Sequence, residues 1–397
     1  MLHDLVVLEL ASVLAGPSVG QFFAELGATV LKVENPRTKG DVTRQWSAPN
    51  GASIDETDDR SAYFCCCNHG KQSLALNLST DAGQNLLFEL AKEADVVLAS
   101  YRPGTAHTLG ADYPTLSEAN PDLIYGHITG YGPDRARAGY DAVIQAESGF
   151  MHMNGPSDGP PTKLPVALMD VLAAHQLKEG LLVALLKRER GDDGAYVPVS
   201  LFQSAVSGLV NQATNWLVAG HSPDRMGSAH PNIAPYGTPY PTGDGPSIVL
   251  AVGTDRQFKA LCEVIDRPDL AEDSRFASNA QRVEHRDALD RELEDRFSHF
   301  DTDELLDALH ARNVPAGIVR DVPTVFEQST AKKMVLRPED SPAGLRQTAF
   351  PHPGDAFSAL SPPPHYAEHT TQILRDHLGY APEQIRALRT DGVILGT

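Results

Sequence analysis

Residues 166–180 read VALMDVLAAHQLKEG and set one carboxylate, Asp170, at the start of an apolar helical run. The loop before it, NGPSDGPPTKLP, is rich in proline and glycine, so the helix must begin close to this residue. A helix N-terminus offers unpaired N–H groups and a partial positive charge, both of which favour an ionised carboxylate. Such a group can cap the helix, a role worth ~1 kcal/mol, or it can act as a nucleophile in covalent catalysis. The two roles are compatible.

Other residues bear on what the chain can bind. The first apolar strand pattern leads to a second that ends in Glu34, where an acidic residue often meets a ribose hydroxyl. The turn between them reads ASVLAGPSVG, however, and lacks the GxGxxG glycines that admit a pyrophosphate, which argues against a nicotinamide dehydrogenase. Cys65, Cys66 and Cys67 are consecutive and Cys262 is remote. That spacing fits neither a disulfide framework nor a zinc site and reads as reduced, mostly buried thiols, with no metal expected. With 52 acidic residues against 33 Lys and Arg, a net charge of −19 opposes a nucleic-acid partner, because phosphate binding depends on releasing counterions through Lys and Arg. Acidic stretches such as DETDDR suit a protein kept soluble in high salt.

The elements that must position Asp170 follow from periodicity. DLVVLEL and TVLKVE are short β-branched runs, and SVGQFFAELGA between them carries apolar residues at helical spacing, a β-α-β unit. The alternation continues through SLALNL, TDAGQNLLFELAKEA, DVVLAS and DLIYGHITGYG. Strands separated by helices imply a parallel sheet covered on both faces, with ligands at the carboxyl ends of its strands. A chain of 397 residues exceeds the ~250–300 at which one core stops growing, so two domains are expected. The expected division is a large domain over 1–195, a linker helix over 196–224, a small domain over 225–322, and a linker with the C-terminal part of the large domain over 323–397. No apolar run reaches the ~20 residues of a membrane span, and the N-terminus lacks a secretory pattern. The expected location is the cytoplasm.

Several segments, in order, resemble CoA-transferase family III, also called the CaiB/BaiF family. They are VLELASVLAGPSVGQFFAELGATVLKVENPRTKGDVTR, SLALNLSTDAG, DVVLASYRPGTAHTLG, NPDLIYGHITGYG, GYDAVIQAESGF and ALMDVLAAHQLKEGLLVALLKRERGDDG. The resemblance spans nearly the whole chain. It implies an α/β fold, with a Rossmann-like parallel-sheet large domain, a smaller α+β domain, and an interlocked homodimer. It also implies that Asp170 attacks the thioester of an acyl-CoA, forming a mixed anhydride and releasing CoA thiolate. Coenzyme A enters as part of the substrate; no prosthetic group is expected.

Residue by residue, the family pattern places the acyl and CoA site at Tyr140 and Asp141. The CoA nucleotide falls near Leu14 and Ala15, Arg37, Leu76 to Ser79 (Leu76, Asn77, Leu78, Ser79), and Ser100, Tyr101 and Arg102. Arg37 and Arg102 suit phosphate because guanidinium pairs with it through a permanently charged fork. The small-domain loop SAHPNIAPYG contains His230, a candidate for the acceptor's carboxylate. Formyl-CoA transferase has a Gln where this chain has Leu14 and a Lys where it has Ala138, so those polar contacts do not carry over.

The implied reaction moves CoA from an acyl-CoA donor to a free carboxylic acid. The resemblance is nearest to members acting on small dicarboxylates, with succinyl-CoA as donor and mesaconate, itaconate or citramalate as acceptor. Two alternatives stand beside it. An acyl-CoA racemase of the same family would need a base on each side of the α-carbon, and racemases carry GHD where this chain has GYD at 139–141. A non-catalytic CoA-binding protein would have no use for Asp170.

Overall fold

The computed structural model describes residues 2–47, 58–337, 341–350 and 360–396. Contacts divide the chain into two compact units, one of Met1–Ser148, Pro165–Leu209 and Lys332–Thr397 and the other of Gly149–Leu164 and Val210–Ala331.

The first unit is built on six strands, β1 (Val6–Leu10), β2 (Thr29–Glu34), β3 (Lys71–Ala75), β4 (Val96–Ala99), β5 (Ile124–Thr129) and β6 (Ala195–Ser200). They pair in the order 3-2-1-4-5-6, and every pairing is parallel. The strand order reverses between β1 and β4, which opens a crevice at their carboxyl ends. β1, β2, β4 and β5 are buried along almost their whole length because helices cover the sheet, and this is why they read as nearly continuous apolar runs.

Alternation along the strands divides the sheet into two faces. Leu8, Leu10, Leu31, Val33 and Leu74 pack with Leu86, Leu87 and Leu90 of α2 (Asp81–Ala91). The same cluster takes in Ile373 and Leu374 of α9 (Thr370–Asp376), Ile385 of α10 (Pro382–Thr390), and Val393 and Ile394. The C-terminal tail is therefore part of this core, pinned by Asn77 N–H to the Val393 carbonyl at 2.8 Å. The opposite face carries α1 (Ala15–Glu25), every residue of which is buried. Two of its polar members are tied down by the C-terminal part of the unit: Gln21 Nε2 donates to the Leu345 carbonyl at 2.8 Å, and Glu25 accepts from Gln347 N, Thr348 N and Thr348 Oγ1. Against α1 lies α4 (Leu168–Arg188), which buries Met169, Ala173, Ala174, Leu177, Leu181 and Ala184 along one stripe, the spacing of a helix with one face inward. α3 (Asp141–Glu147) and α5 (Leu201–Gly208) flank α4.

The second unit has a three-stranded antiparallel sheet, β7 (Tyr236–Pro241), β8 (Ser247–Ala251) and β9 (Ala316–Ile318), paired in that order. Its core combines Ile248 and Leu250 with Phe258 of α6 (Asp255–Val264), Leu289 and Phe297 of α7 (Arg286–Phe297), and Leu305 and Leu309 of α8 (Thr302–Ala311). Arg282 is wholly buried there, donating to the carbonyls of Ala234 and Phe276 and to Asp255, so its charge is matched. No helix among the described residues is long and apolar enough to cross a membrane.

Candidate active site

Three loops at the carboxyl ends of β1, β4 and β5 converge with the start of α4. Between them lies a cavity of about 170 Å³, lined by Ser12–Gly16, Ser100–Pro103, Ile128–Gly130, Arg137–Tyr140, Asp170 and Leu201. It adjoins a larger cleft of about 860 Å³ that shares Ser12 and Tyr101 and extends past Arg37, Lys39 and Gln45. The chain brings these segments together at the sheet's reversal point, where such folds bind ligands.

Asp170 is the third residue of α4, and the residue before the helix, Ala167, supplies no side-chain cap. The capping work falls to Asp141 instead. Its Oδ1 accepts from Met169 N at 3.0 Å, and its Oδ2 accepts from Gln145 Nε2 at 2.8 Å. Asp141 thus ties the start of α3 to the start of α4. The helix terminus alone would favour ionised Asp170, but burial and then the neighbouring Asp141 carboxylate push the Asp170 carboxyl up to about 7. Loss of hydration and like charge both penalise the anion. A carboxylate relieved of a capping role and held at high energy is a more reactive one.

The turn from β1 to α1 faces Asp170 across the cavity. Val13 sits at φ 73, an uncommon and strained conformation for a β-branched residue. Leu14 precedes α1 without a side-chain cap. The backbone N–H groups of Leu14, Ala15 and Gly16 have no acceptor among the described residues. Gly16 is required by a close approach: a Cβ there would lie 2.3 Å from Ala11 Cβ. Ser12 N donates to Ser100 Oγ at 3.2 Å and joins the β1 and β4 loops. The Tyr101 carbonyl accepts from His127 Nε2 at 2.8 Å, and the Tyr196 hydroxyl is 2.8 Å from Nδ1 of the same imidazole.

The remaining candidates fall in distinct places. Tyr140 is 63% exposed at the cavity wall. Arg102 lines the small cavity and Arg37 the large cleft; both are exposed, and among the described residues neither is paired with a carboxylate. On so acidic a chain, two such guanidinium groups beside one crevice leave positive charge available to an anion. Leu76 and Leu78 have their side chains in the core, whereas Asn77 Oδ1 accepts from Ser79 N and Oγ and shapes the turn into α2. His230 belongs to the second unit. Its Nδ1 accepts from Asn232 N at 3.1 Å, which places the ring proton on Nε2 and makes that atom a donor.

Three residues at the site escape sequence reading. Arg137 lines the cavity, pairs with Glu147 and lies over the Tyr131 ring; its place in PDRARAGYD, just before the Gly-Tyr-Asp stretch, was a usable signal. Tyr63, whose hydroxyl is pushed up to about 12 by burial and by Asp170, carries no local signature. Nor does Val13, since nothing in its side chain announces a positive φ. The cysteines are free, with Cys65, Cys67 and Cys262 buried and Cys66 partly so.

Residues 2–370 match the model of CoA-transferase family III. The chain is 36% identical over 384 residues to a succinate–glutarate CoA-transferase of Agrobacterium fabrum, covering 94% of this chain and 95% of that one. It is 37% identical over 333 residues to a succinyl-CoA:mesaconate CoA-transferase of Haloarcula hispanica, with 82% of each covered. Among solved structures, a CaiB/BaiF family protein from Brucella suis superposes with a TM-score of 0.83 at 39% identity, over 95% of this chain and 99% of that one.

Proposed function

This chain belongs to CoA-transferase family III, and from that premise we propose that it moves CoA from succinyl-CoA to a small dicarboxylic acid through covalent intermediates on Asp170. One observation carries the reading: Asp170 and the uncapped start of α1 line the same cavity. Ionised Asp170 attacks the donor's thioester carbonyl, forming an aspartyl–succinyl anhydride and expelling CoA thiolate. The thiolate then attacks the aspartyl carbonyl, giving an aspartyl-CoA thioester and free succinate. The acceptor carboxylate repeats both steps in reverse and leaves as its CoA ester, with Asp170 restored. Each carbonyl attack builds an oxyanion, and the amides of Leu14, Ala15 and Gly16 are suited to stabilise it.

Arg37 and Arg102 are proposed to hold the CoA phosphates, and Tyr140 and Asp141 to border the acyl group. His230 is proposed to donate from Nε2 to the acceptor's second carboxylate. The named activities of the Agrobacterium and Haloarcula relatives favour glutarate, mesaconate and similar acids as acceptors. The test is a panel of free acids assayed with succinyl-CoA. Turnover should be confined to short dicarboxylates, and turnover with none of them would refute the assignment. In the same assay Arg37→Ala and Arg102→Ala should raise the donor KM about tenfold with little loss of kcat, because remote phosphate contacts bind ground and transition states alike. His230→Ala should raise only the acceptor KM.

An interlocked homodimer and a cytoplasmic location complete the proposal. The helix Val210–Ala219 exposes Trp216, Leu217 and Val218 at 57%, 77% and 85%, apolar surface that an oligomer would cover. Light scattering should return twice the chain mass; a stable monomer would overturn this point.

A further inference from the structure

Beneath the turn that faces Asp170 lies a buried group of four charges. Glu9 is on β1, Lys32 on β2, Asp41 in the loop after β2 and Lys71 at the start of β3, and no side chain among them is more than 1% exposed. Lys32 Nζ lies 2.9 Å from Glu9 Oε1 and 3.0 Å from Asp41 Oδ2, and Lys71 Nζ lies 2.8 Å from Glu9 Oε2. Two carboxylates thus face two ammonium groups. Gly20 of α1 leaves room for them, since a Cβ there would sit 1.8 Å from Glu9 Oε2.

The hydrogen bonds left over from these ion pairs reach the turn at three points. Lys32 Nζ donates to the Ala11 carbonyl at 3.0 Å and Lys71 Nζ to the Pro17 carbonyl at 2.9 Å. Between them, the Asp41 carboxylate accepts from Val13 N, 3.2 Å from Oδ2. Asn68 Oδ1 accepts from Lys71 at 2.9 Å, and Thr43 N and Oγ1 donate to Asp41, so the polar atoms are well used. The gripped segment, 11–17, contains the strained Val13 and the uncapped Leu14, Ala15 and Gly16.

Stability is a poor reason for such a group. Burying ion pairs costs desolvation, and well-packed apolar residues of the same volume often serve the fold as well or better. What apolar residues could not do is hold two carbonyls and one N–H in fixed directions and keep Val13 where its side chain resists being. We infer that Glu9, Lys32, Asp41 and Lys71 are positioning residues for acyl transfer, holding the 11–17 turn so that its amides face the thioester carbonyl above Asp170. This rests on the transferase reading given above.

Two charge-balanced double variants test it. Glu9→Gln with Lys71→Met leaves the Lys32–Asp41 pair in place, and Lys32→Met with Asp41→Asn leaves Glu9–Lys71. Both doubles should fold, with melting temperatures near or above the wild type. Because small displacements of a catalytic group are costly, kcat should fall about 10- to 100-fold. The donor KM should change less than about threefold, since ground-state binding is largely retained. Formation of the covalent adduct on Asp170 should slow by the same factor as kcat. Wild-type kcat in either folded double overturns the inference, and so does failure of both to fold, which would make the network a requirement of the fold itself. The wild type, run alongside, separates the two levels: if it forms no adduct from succinyl-CoA, the transferase mechanism fails whatever the variants do.

Discussion

Asp170→Asn should abolish turnover while leaving the protein more stable than the wild type. A neutral amide cannot form the anhydride, and the loss of covalent catalysis should cost many orders of magnitude in kcat. The gain in stability follows from the raised pKa. An acid whose folded value lies above its unfolded one is destabilising when ionised. The penalty is absent below the ordinary 3.8, grows as pH rises towards about 7, and is complete above that. The interval between those values, at ~1.36 kcal/mol per pH unit, sets an upper limit of ~4 kcal/mol, and partial contact of the group with solvent reduces it. Denaturant unfolding should therefore show a larger gain for Asp170→Asn at pH 8 than at pH 5. If Asp170 were only a helix cap, Asn would replace it with activity and stability both nearly unchanged. Mass spectrometry of wild type mixed with succinyl-CoA and trapped with hydroxylamine should modify the peptide holding Asp170. Adducts confined to the peptide of Cys65–Cys67 would exclude the proposed nucleophile.

The pH dependence carries the second large effect. The proposed mechanism requires Asp170 ionised for attack, and its carboxyl is held up to about 7, so kcat/KM for the donor should fall about tenfold for each pH unit below that value and level off above it. Asp141→Asn should move the midpoint of this acid limb downward, since the Asp141 charge is one of the two causes that raise it. The variant keeps an oxygen able to accept from Met169 N, so the junction of α3 and α4 should survive. A flat profile down to pH 5 in the wild type would show that Asp170 ionisation does not control the rate. An unmoved midpoint in Asp141→Asn would leave burial as the sole cause.

Much of this protein could be read along the chain because its signals are local. β-branched runs separated by helical spacing predict parallel strands, and the five runs so identified all fall in the six-stranded parallel sheet. The segments resembling the family lie in order, and the family match covers residues 2–370. Asp170 stood out because a charged residue opening an apolar helix breaks a pattern.

Tertiary structure decided what depends on distance across the chain. Helix-end electrostatics, a property of neighbours in sequence, argues for an ionised Asp170; the opposing burial and the Asp141 carboxylate arise only when α3 packs beside α4. The cap on α4 comes from Asp141, 28 residues away, and no spacing rule links the two. Leu76 and Leu78 follow the resemblance as binding positions, yet just past the end of β3 they meet the C-terminal tail, and their side chains join the core with Val393 and Ile394. Glu9 and Lys32 lie in strands that read as ordinary apolar runs with an occasional charge, and Lys71 lies two residues ahead of the SLALNL run. Only the pairing of β1, β2 and β3 side by side turns three scattered charges into one network, because a buried charge is tolerable only where its partner is already in reach.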